Sequence, residues 1–241
     1  IAWWGHTVLG PETGVACYNL GLAHGVPGVV AFVARALQRG ISPERCRMLL
    51  DGAVPWLLKQ QLARGPSRFP TYVDERGRPD GPARAAWCYG DPGVALAVFA
   101  AASATSNAQW HRAAHDIASA SARRPMGTCA VSDSSVCHGS AGLMHLHNRF
   151  HQATGDAVFE RAARAWYRAT LDLVQSDRWD GVPGSDEPLP DKAASILEGK
   201  AGVALALLSA ASNRPPTWDR LLLADIELSP SAPALLTEVV A

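Results

Sequence analysis

The chain has 241 residues, a formal net charge of +0 and 48% hydrophobic residues, enough for one large domain or two small ones. The balanced charge argues against a nucleic-acid-binding or anionic-membrane surface, and no run reads as a transmembrane helix. Five cysteines, an odd number in a long chain without an export signal, favour a reducing compartment over a disulfide framework.

The N-terminal stretch "IAWWGHTVLG" has no Met and no signal-peptide pattern, so we expect residue 1 to lie within a longer protein.

Four later segments repeat Gly-x-[Pro/Ala]-Gly, followed by about three turns of mostly apolar sequence. They are "LAHGVPGVVAFVARAL", "WCYGDPGVALAVFAAA", "VCHGSAGLMHLHNRF" and "LEGKAGVALALLSAA". Each predicts a loop that enters a buried helix. Glycine tolerates a tight entry, Pro27 and Pro92 suit a first turn, and the second glycine permits a close approach to a neighbour.

Amphipathic, more charged segments lie between these buried helices. They span Ser42 to Arg64, Asn107 to Arg124 and Asp156 to Gln175. Ser42-Pro-Glu suits a helix N-cap and first turn. One face of the third segment carries Ala162, Trp166, Ala169 and Leu173. Alternating inner and outer helices without strand-like alternation predict an all-α fold, and irregular spacing favours an α/α toroid over a regular solenoid.

In an α/α toroid, the loops that start the inner helices meet at one end of the barrel. The residues directly before the first glycines are His24, Cys88 with Tyr89, Cys137 with His138, and Glu198. If these loops converge, two thiolates and one imidazole leave one position of a zinc tetrahedron open, the pattern of a catalytic zinc. The alternative for each cysteine alone is that of a small buried hydrophobic residue.

These motifs resemble the lanthionine synthetase C-like cyclases. The resemblance is carried by "NLGLAHGVPG" (19–28), "RAAWCYGDPG" (84–93), "CHGSAG" (137–142), "LEGKAG" (197–202) and "WDRLLL" (218–223). It implies that residues 1–241 form one α/α-toroid domain, the C-terminal portion of the family's domain, with about four of seven helical hairpins and the N-terminal hairpins missing. An Asp that the family uses near its active site has no counterpart here.

The resemblance implies a zinc-dependent peptide cyclase of lanthipeptide (lantibiotic) biosynthesis. A substrate Cys thiolate would add to dehydroalanine or dehydrobutyrine and form a (methyl)lanthionine thioether ring. The motif positions carry over as zinc ligands Cys88, Cys137 and His138, and as catalytic candidates His24, Arg84 and Tyr89. Arg84 suits the enolate oxygen, the His24 imidazole suits protonation of the α-carbon, and Tyr89 could assist either.

The implied substrate is a dehydrated precursor peptide, and the implied partners are a lanthipeptide dehydratase and an ABC-type exporter. We expect a cytoplasmic protein that is peripheral to the membrane within such a complex. Three alternatives stay open: a relative that adds a small thiol such as glutathione, an α/α-toroid carbohydrate enzyme or binding module, and an inactive truncated remnant. Toroid glycosidases use paired carboxylates, whereas only Glu198 is acidic among the pre-glycine residues.

The remaining candidates are interpreted as structural. His145, His147 and His151 invite a metal interpretation, but no Cys or carboxylate partner stands out in the sequence. We expect Cys17, Cys46 and Cys129 to be packing residues. The Pro-, Gly- and Asp-rich segment 176–195 is interpreted as an exposed connection that borders a peptide cleft.

Overall fold

The computed structural model describes residues 17–176, 194–212, 214–226 and 235. These ranges hold seven α-helices: α1 (Val26–Gln38), α2 (Pro43–Leu58), α3 (Asp91–Thr105), α4 (Ala108–Arg123), α5 (Ser140–Thr154), α6 (Ala157–Gln175) and α7 (Lys200–Ala210). Two 3-10 helices span Met126–Thr128 and Trp218–Leu222. The predicted all-α class is confirmed. Among the described helices, none has the length and apolar character needed to cross a membrane.

A small antiparallel strand pair accompanies the helices. β1 (Cys17–Asn19) pairs with β2 (Tyr72–Asp74), and Asn19 lies opposite Tyr72. The sequence pattern did not predict these strands, because three residues are too few to show an alternation of polar and apolar positions.

The chain divides into two compact units, Ile1–Arg124 and Pro125–Ala241. In the first unit, α1 packs against α2, α3 packs against α4, and α1 also packs against α3. In the second unit, α5 packs against both α6 and α7. Each unit is therefore built on inner helices that follow a glycine loop. The expectation of one domain over residues 1–241 stays a prediction, and most of the segment 176–195 lies outside the described residues.

The first glycine of each repeat is the N-cap of a helix. Gly25, Gly90, Gly139 and Gly199 directly precede α1, α3, α5 and α7. Pro27 and Pro92 lie in the first turn, where a missing N–H leaves no hydrogen bond unmade. The predicted entry of each glycine loop into a helix is thus confirmed. The most deeply buried of these helices are α3 and α5.

The second glycine of each repeat lies against the loop that precedes its own helix. A Cβ at this glycine would clash with the carbonyl oxygen of the residue six positions earlier in the chain. The four pairs are Gly28 with Leu22, Gly93 with Trp87, Gly142 with Val136, and Gly202 with Ile196. The expected close approach is present, and in each repeat the neighbour is the helix's own entry loop.

The outer helices lie within the three amphipathic segments. α2 begins after Ser42, as predicted, but ends at Leu58, and the Ser42 side chain makes no capping hydrogen bond. α4 and α6 begin after Asn107 and Asp156, whose side-chain oxygens accept from backbone N–H groups of the first turn.

The buried face of α6 differs slightly from the predicted one. Ala162 and Trp166 are buried, as expected, whereas Ala169 and Leu173 are only half-buried. Thr170 takes the buried position one turn after Trp166; its hydroxyl donates to the Trp166 carbonyl at 2.8 Å and lies in hydrogen-bond contact with Ser140 Oγ at 2.9 Å. A threonine faces the interior because both of its hydrogen bonds are made there.

Two buried side chains of α5 contact Asp219 in the second 3-10 helix. His145 Nε2 and Arg149 Nε lie 3.2 Å and 3.1 Å from Asp219 Oδ2. The Arg149 guanidinium also donates to the carbonyl of Ile226 at 2.7 Å. The sequence offered no carboxylate partner for these histidines because Asp219 is 74 residues from His145. The structural interpretation of His145 fits this arrangement.

His147, on the same helix, is buried. Only 1% of its surface is exposed, and neither ring nitrogen is hydrogen-bonded within the described part of the chain. Burial disfavours the charged imidazolium and lowers the pKa of His147 to about 4. The native protein therefore holds this imidazole neutral at neutral pH.

We expect His147 to make the protein less stable in mild acid. The unfolded chain takes up a proton near pH 6.5, whereas the folded chain does so only near the lowered pKa of about 4. The stability contribution is therefore full above pH 6.5 and is lost as the pH falls towards 4, up to about 3 kcal/mol. Urea midpoints at neutral pH and near pH 4.5 should differ less in His147→Met than in the wild type.

The matched control for this prediction is His115→Met, a half-exposed histidine on α4. This variant should keep the wild-type acid sensitivity. An equal loss of stability in acid for the wild type and His147→Met would contradict the prediction.

Candidate functional site

The loop before α5 holds Cys137 and His138 at the helix entry. Asp133 begins this loop, and its Oδ1 accepts from the Ser135 N–H at 2.7 Å while its carbonyl accepts from the Ser140 N–H at 3.0 Å. The Cys137 N–H donates to the Leu197 carbonyl at 2.8 Å, so this loop is also fastened to the one before α7. The thiol and the imidazole are thus presented by a backbone with fixed hydrogen bonds.

Asp133 also faces the His138 ring. Its buried Oδ2 lies 3.4 Å from His138 Nε2, and the two side chains are 1% and 20% exposed. A carboxylate beside one ring nitrogen favours the tautomer with the proton on that nitrogen, which leaves Nδ1 as the lone-pair donor. Sequence reasoning missed Asp133, although it stands six residues before Gly139 and is acidic.

The loop before α3 holds Cys88 and Tyr89. Gly90 has a positive φ of 81°, and a Cβ there would clash with the Arg84 carbonyl oxygen, so only glycine fits. The Cys88 carbonyl accepts from the Ala23 N–H at 3.4 Å, which connects this loop to the one that carries His24. Cys88 is buried and Tyr89 is half-buried.

The Tyr89 hydroxyl lies in a hydrogen-bond network supplied by the strand pair. Asn19 Nδ2 donates to Tyr89 Oη at 3.0 Å, and the Tyr72 hydroxyl lies 3.2 Å from the same oxygen. Burial and, second, the hydrogen bond to Tyr89 raise the pKa of Tyr72 above its usual value, so Tyr72 is a neutral hydroxyl at neutral pH. Asn19 and Tyr72 were not predicted as site residues: no motif contains Tyr72, and Asn19, the first residue of the motif 19–28, was given no role.

The other two catalytic candidates are exposed. The ring of His24 lies 6.5 Å from that of Tyr89, centroid to centroid, so these two candidates are neighbours. Arg84 is exposed, and its carbonyl packs against Gly90. The structure thus brings His24 and Tyr89 together and leaves the Arg84 guanidinium accessible. Glu198, at the corresponding position before α7, is half-buried.

Three side chains could hold a metal ion. The ligand atoms of Cys88, Cys137 and His138 all lie within 4.8 Å of one another, and this is the one such group of His, Cys, Asp or Glu ligands among the described residues. Two sulfurs and one imidazole nitrogen form a donor set that suits zinc, with Zn–S bonds near 2.3 Å and Zn–N bonds near 2.0 Å. The protein is therefore an all-α protein whose glycine loops, at the starts of the inner helices, carry a candidate three-ligand zinc site.

The chain belongs to the lanthionine synthetase C-like protein family, whose model matches residues 12–223. This confirms the family resemblance of the motifs. The nisin biosynthesis protein NisC of Lactococcus lactis subsp. lactis is 28% identical over 154 residues, which cover 61% of this chain and 36% of that protein. The chain therefore spans little more than a third of this curated relative.

The fold is also shared with a solved structure, that of a nisin cyclase. The match has a TM-score of 0.69 and 22% sequence identity, and it covers 87% of this chain and 50% of that chain. At this identity the likeness establishes the fold, and it confirms the predicted α/α-toroid class.

Asp133→Asn is expected to weaken zinc binding by about 10–100-fold, because an amide can no longer hold the His138 ring as a carboxylate does. The amide oxygen can still accept from the Ser135 N–H, so the loop turn should survive. Competition with a chromophoric zinc chelator measures the affinity. Asp116→Asn, an exposed change on α4, is the control. Equal affinities of wild type and Asp133→Asn would contradict the assigned role.

Proposed function

We propose that this protein is a zinc-dependent lanthionine cyclase that closes thioether rings in a dehydrated precursor peptide. The observation that carries the proposal is the grouping of the Cys88, Cys137 and His138 ligand atoms within 4.8 Å. The family assignment and the likeness to a nisin biosynthesis protein support it further. The substrate class is inferred from that relative's name and from the chemistry of the site.

Cys88, Cys137 and His138 would hold the zinc ion, and the fourth position would be left to the substrate sulfur. A zinc ion there would supply Lewis acidity, which lowers the pKa of a substrate thiol and makes its thiolate available at neutral pH. The two cysteine ligands offset the charge of the cation. Asp133 keeps the His138 ring oriented through the contact of 3.4 Å.

The remaining chemistry is assigned to the exposed and half-buried side chains. The substrate sulfur forms a bond to the β-carbon of the dehydroamino acid, the π electrons move to the carbonyl oxygen as an enolate, and a proton is added at the α-carbon. Arg84 is permanently charged and exposed, which suits it to the enolate oxygen. The exposed His24 imidazole can deliver the proton. Tyr89, beside His24, can donate a hydrogen bond to the same intermediate.

Ring closure is an isomerisation, so the peptide mass stays the same while a free thiol disappears. Incubation of the purified protein with a dehydrated Cys-containing peptide, followed by thiol alkylation and mass spectrometry, should show loss of alkylation without a change in mass. A glutathione-adding relative would instead add the mass of the small thiol. A peptide that stays fully alkylated and unmodified would overturn the proposed reaction.

The dehydratase and exporter partners and the cytoplasmic, membrane-peripheral location stay predictions.

Metal analysis tests the ligand set directly. We expect about one zinc per chain, because three protein ligands suffice for a catalytic zinc site. Cys137→Ala should lose most of the zinc. Cys46→Ala, which removes a buried cysteine on α2, should keep it. Absence of zinc from well-folded wild-type protein refolded with the metal would sink the proposal.

His24→Asn should leave the zinc content intact and slow ring closure by about 10²–10⁴-fold, the usual contribution of a general acid. The expected result follows from the exposed position of His24 next to Tyr89 and outside the ligand group. The rate per bound zinc is the quantity to compare, with His115→Asn as the control. Lost zinc with an unchanged rate per zinc would exclude the proton-delivery role.

A further inference from the structure

The orientation of the Asn19 side chain can be read from its two partners. Asn19 Oδ1 accepts from the Gly21 N–H at 2.7 Å, and the other end of the amide lies 3.0 Å from Tyr89 Oη. A backbone N–H can only donate, so the atom facing Gly21 must be the amide oxygen. The NH₂ group therefore faces Tyr89, and the amide cannot be flipped without loss of the bond to Gly21.

This orientation fixes the role of the Tyr89 oxygen. An amide NH₂ has hydrogens but no acceptor, so Tyr89 Oη accepts from Asn19. Tyr72 Oη lies 3.2 Å away, and either hydroxyl could donate across this contact; when Tyr72 donates, as Asn19 does, the Tyr89 oxygen accepts twice. A phenol oxygen that accepts twice keeps its own hydrogen for a third group. That hydrogen is then available to a substrate atom.

The strand pair holds both partners in place. Asn19 and Tyr72 are directly opposite each other in the β1–β2 pairing, so their side chains stand next to each other. Only 3% of the Asn19 surface is exposed. The Gly21 backbone lies against the Tyr89 ring so closely that a Cβ at Gly21 would touch it at 2.6 Å. The short strand pair therefore positions the two side chains that contact the Tyr89 hydroxyl.

The same backbone position recurs in the second unit. Asn19 stands six residues before Gly25, and Asp133 stands six residues before Gly139. Both side chains accept from the N–H two residues later at 2.7 Å, and both turn their second polar atom towards a candidate site residue, Tyr89 or His138. The same turn thus places Asn19 beside Tyr89 in the first unit and Asp133 beside His138 in the second.

We propose that Asn19, together with Tyr72, is a positioning residue that fixes the Tyr89 oxygen as an acceptor and leaves its hydroxyl hydrogen to donate to the enolate oxygen. This inference rests on the proposed cyclase function for its catalytic consequence. The hydrogen-bond arrangement itself involves only residues of the first unit and is testable without activity.

Asn19→Asp is the sharpest variant. The introduced carboxylate keeps an oxygen for the Gly21 N–H, but its second oxygen accepts where the amide donated. Tyr89 must then donate to the carboxylate, and its hydrogen is lost to the substrate. We expect kcat for ring closure to fall about tenfold or more, with KM within about twofold and the zinc content unchanged. Asn107→Asp, a change at the N-cap of α4 that retains a capping oxygen, is the control.

A double-mutant cycle separates positioning from a general loss of structure. If Asn19 acts through the Tyr89 hydroxyl, Asn19→Asp should have no further effect on kcat in the Tyr89→Phe background. Equal losses in both backgrounds would overturn the proposal, as would an Asn19→Asp enzyme with wild-type kcat. Tyr72→Phe should lower kcat by a few fold and should likewise have no effect without the Tyr89 hydroxyl.

A second measurement does not depend on catalysis. The chain has four tyrosines, so labelling of tyrosine Cζ with ¹³C gives few resonances, and Tyr89→Phe assigns the one of interest. Asn19→Asp and Tyr72→Phe should each shift the Tyr89 Cζ resonance and leave that of Tyr167, on α6, in place. An unmoved Tyr89 resonance would overturn the assigned hydrogen bonds. A shifted resonance in a protein that closes no rings would instead overturn the cyclase function and leave the positioning intact.

Discussion

The contact on which the site depends is the close approach of a glycine in the first helical turn to a carbonyl oxygen six residues earlier. It occurs at Gly28, Gly93, Gly142 and Gly202, where no Cβ could fit. The approach folds each entry loop back over the first turn of its helix. The residue just before each first glycine is therefore held at a helix N-terminus, where an anionic ligand is favoured. Side chains far apart in sequence acquire equivalent positions in this way.

This constraint explains why so much could be predicted from the sequence. A position that has no room for a Cβ must be glycine, so this local constraint is visible in the sequence. The four helix starts, and the places of Cys88, Cys137 and His138 before two of them, could therefore be predicted without a structure. The outer helices were readable for a similar reason, since Asn107 and Asp156 cap them within their own first turns. Both kinds of signal involve residues separated by only a few positions.

Apart from the local contact between Asp133 and His138, the contacts that sequence reasoning missed join distant parts of the chain. Asn19 and Tyr72 meet across two three-residue strands, and neither strand is long enough to show a period. Asp219 lies 74 residues from His145 in the sequence, and its carboxylate gives His145 Nε2 a partner that the sequence did not reveal. Such pairs carry no spacing signal, because loop closure over many residues leaves the separation in sequence arbitrary.

The position six residues before the first glycine combines a local backbone constraint with side-chain contacts to other parts of the chain. Asn19, Arg84 and Asp133 occupy it, and in each case the residue packs against the glycine that caps the following helix. The backbone at this position is constrained by the glycine, whereas the side chain is free to vary, so one geometry can carry an amide, a guanidinium or a carboxylate. Asn19 and Asp133 use their side chains to orient a neighbour, whereas Arg84 extends its own to solvent. The repeat thus fixes the backbone at equivalent positions. Different side chains at these positions then give each loop a different role in the proposed site.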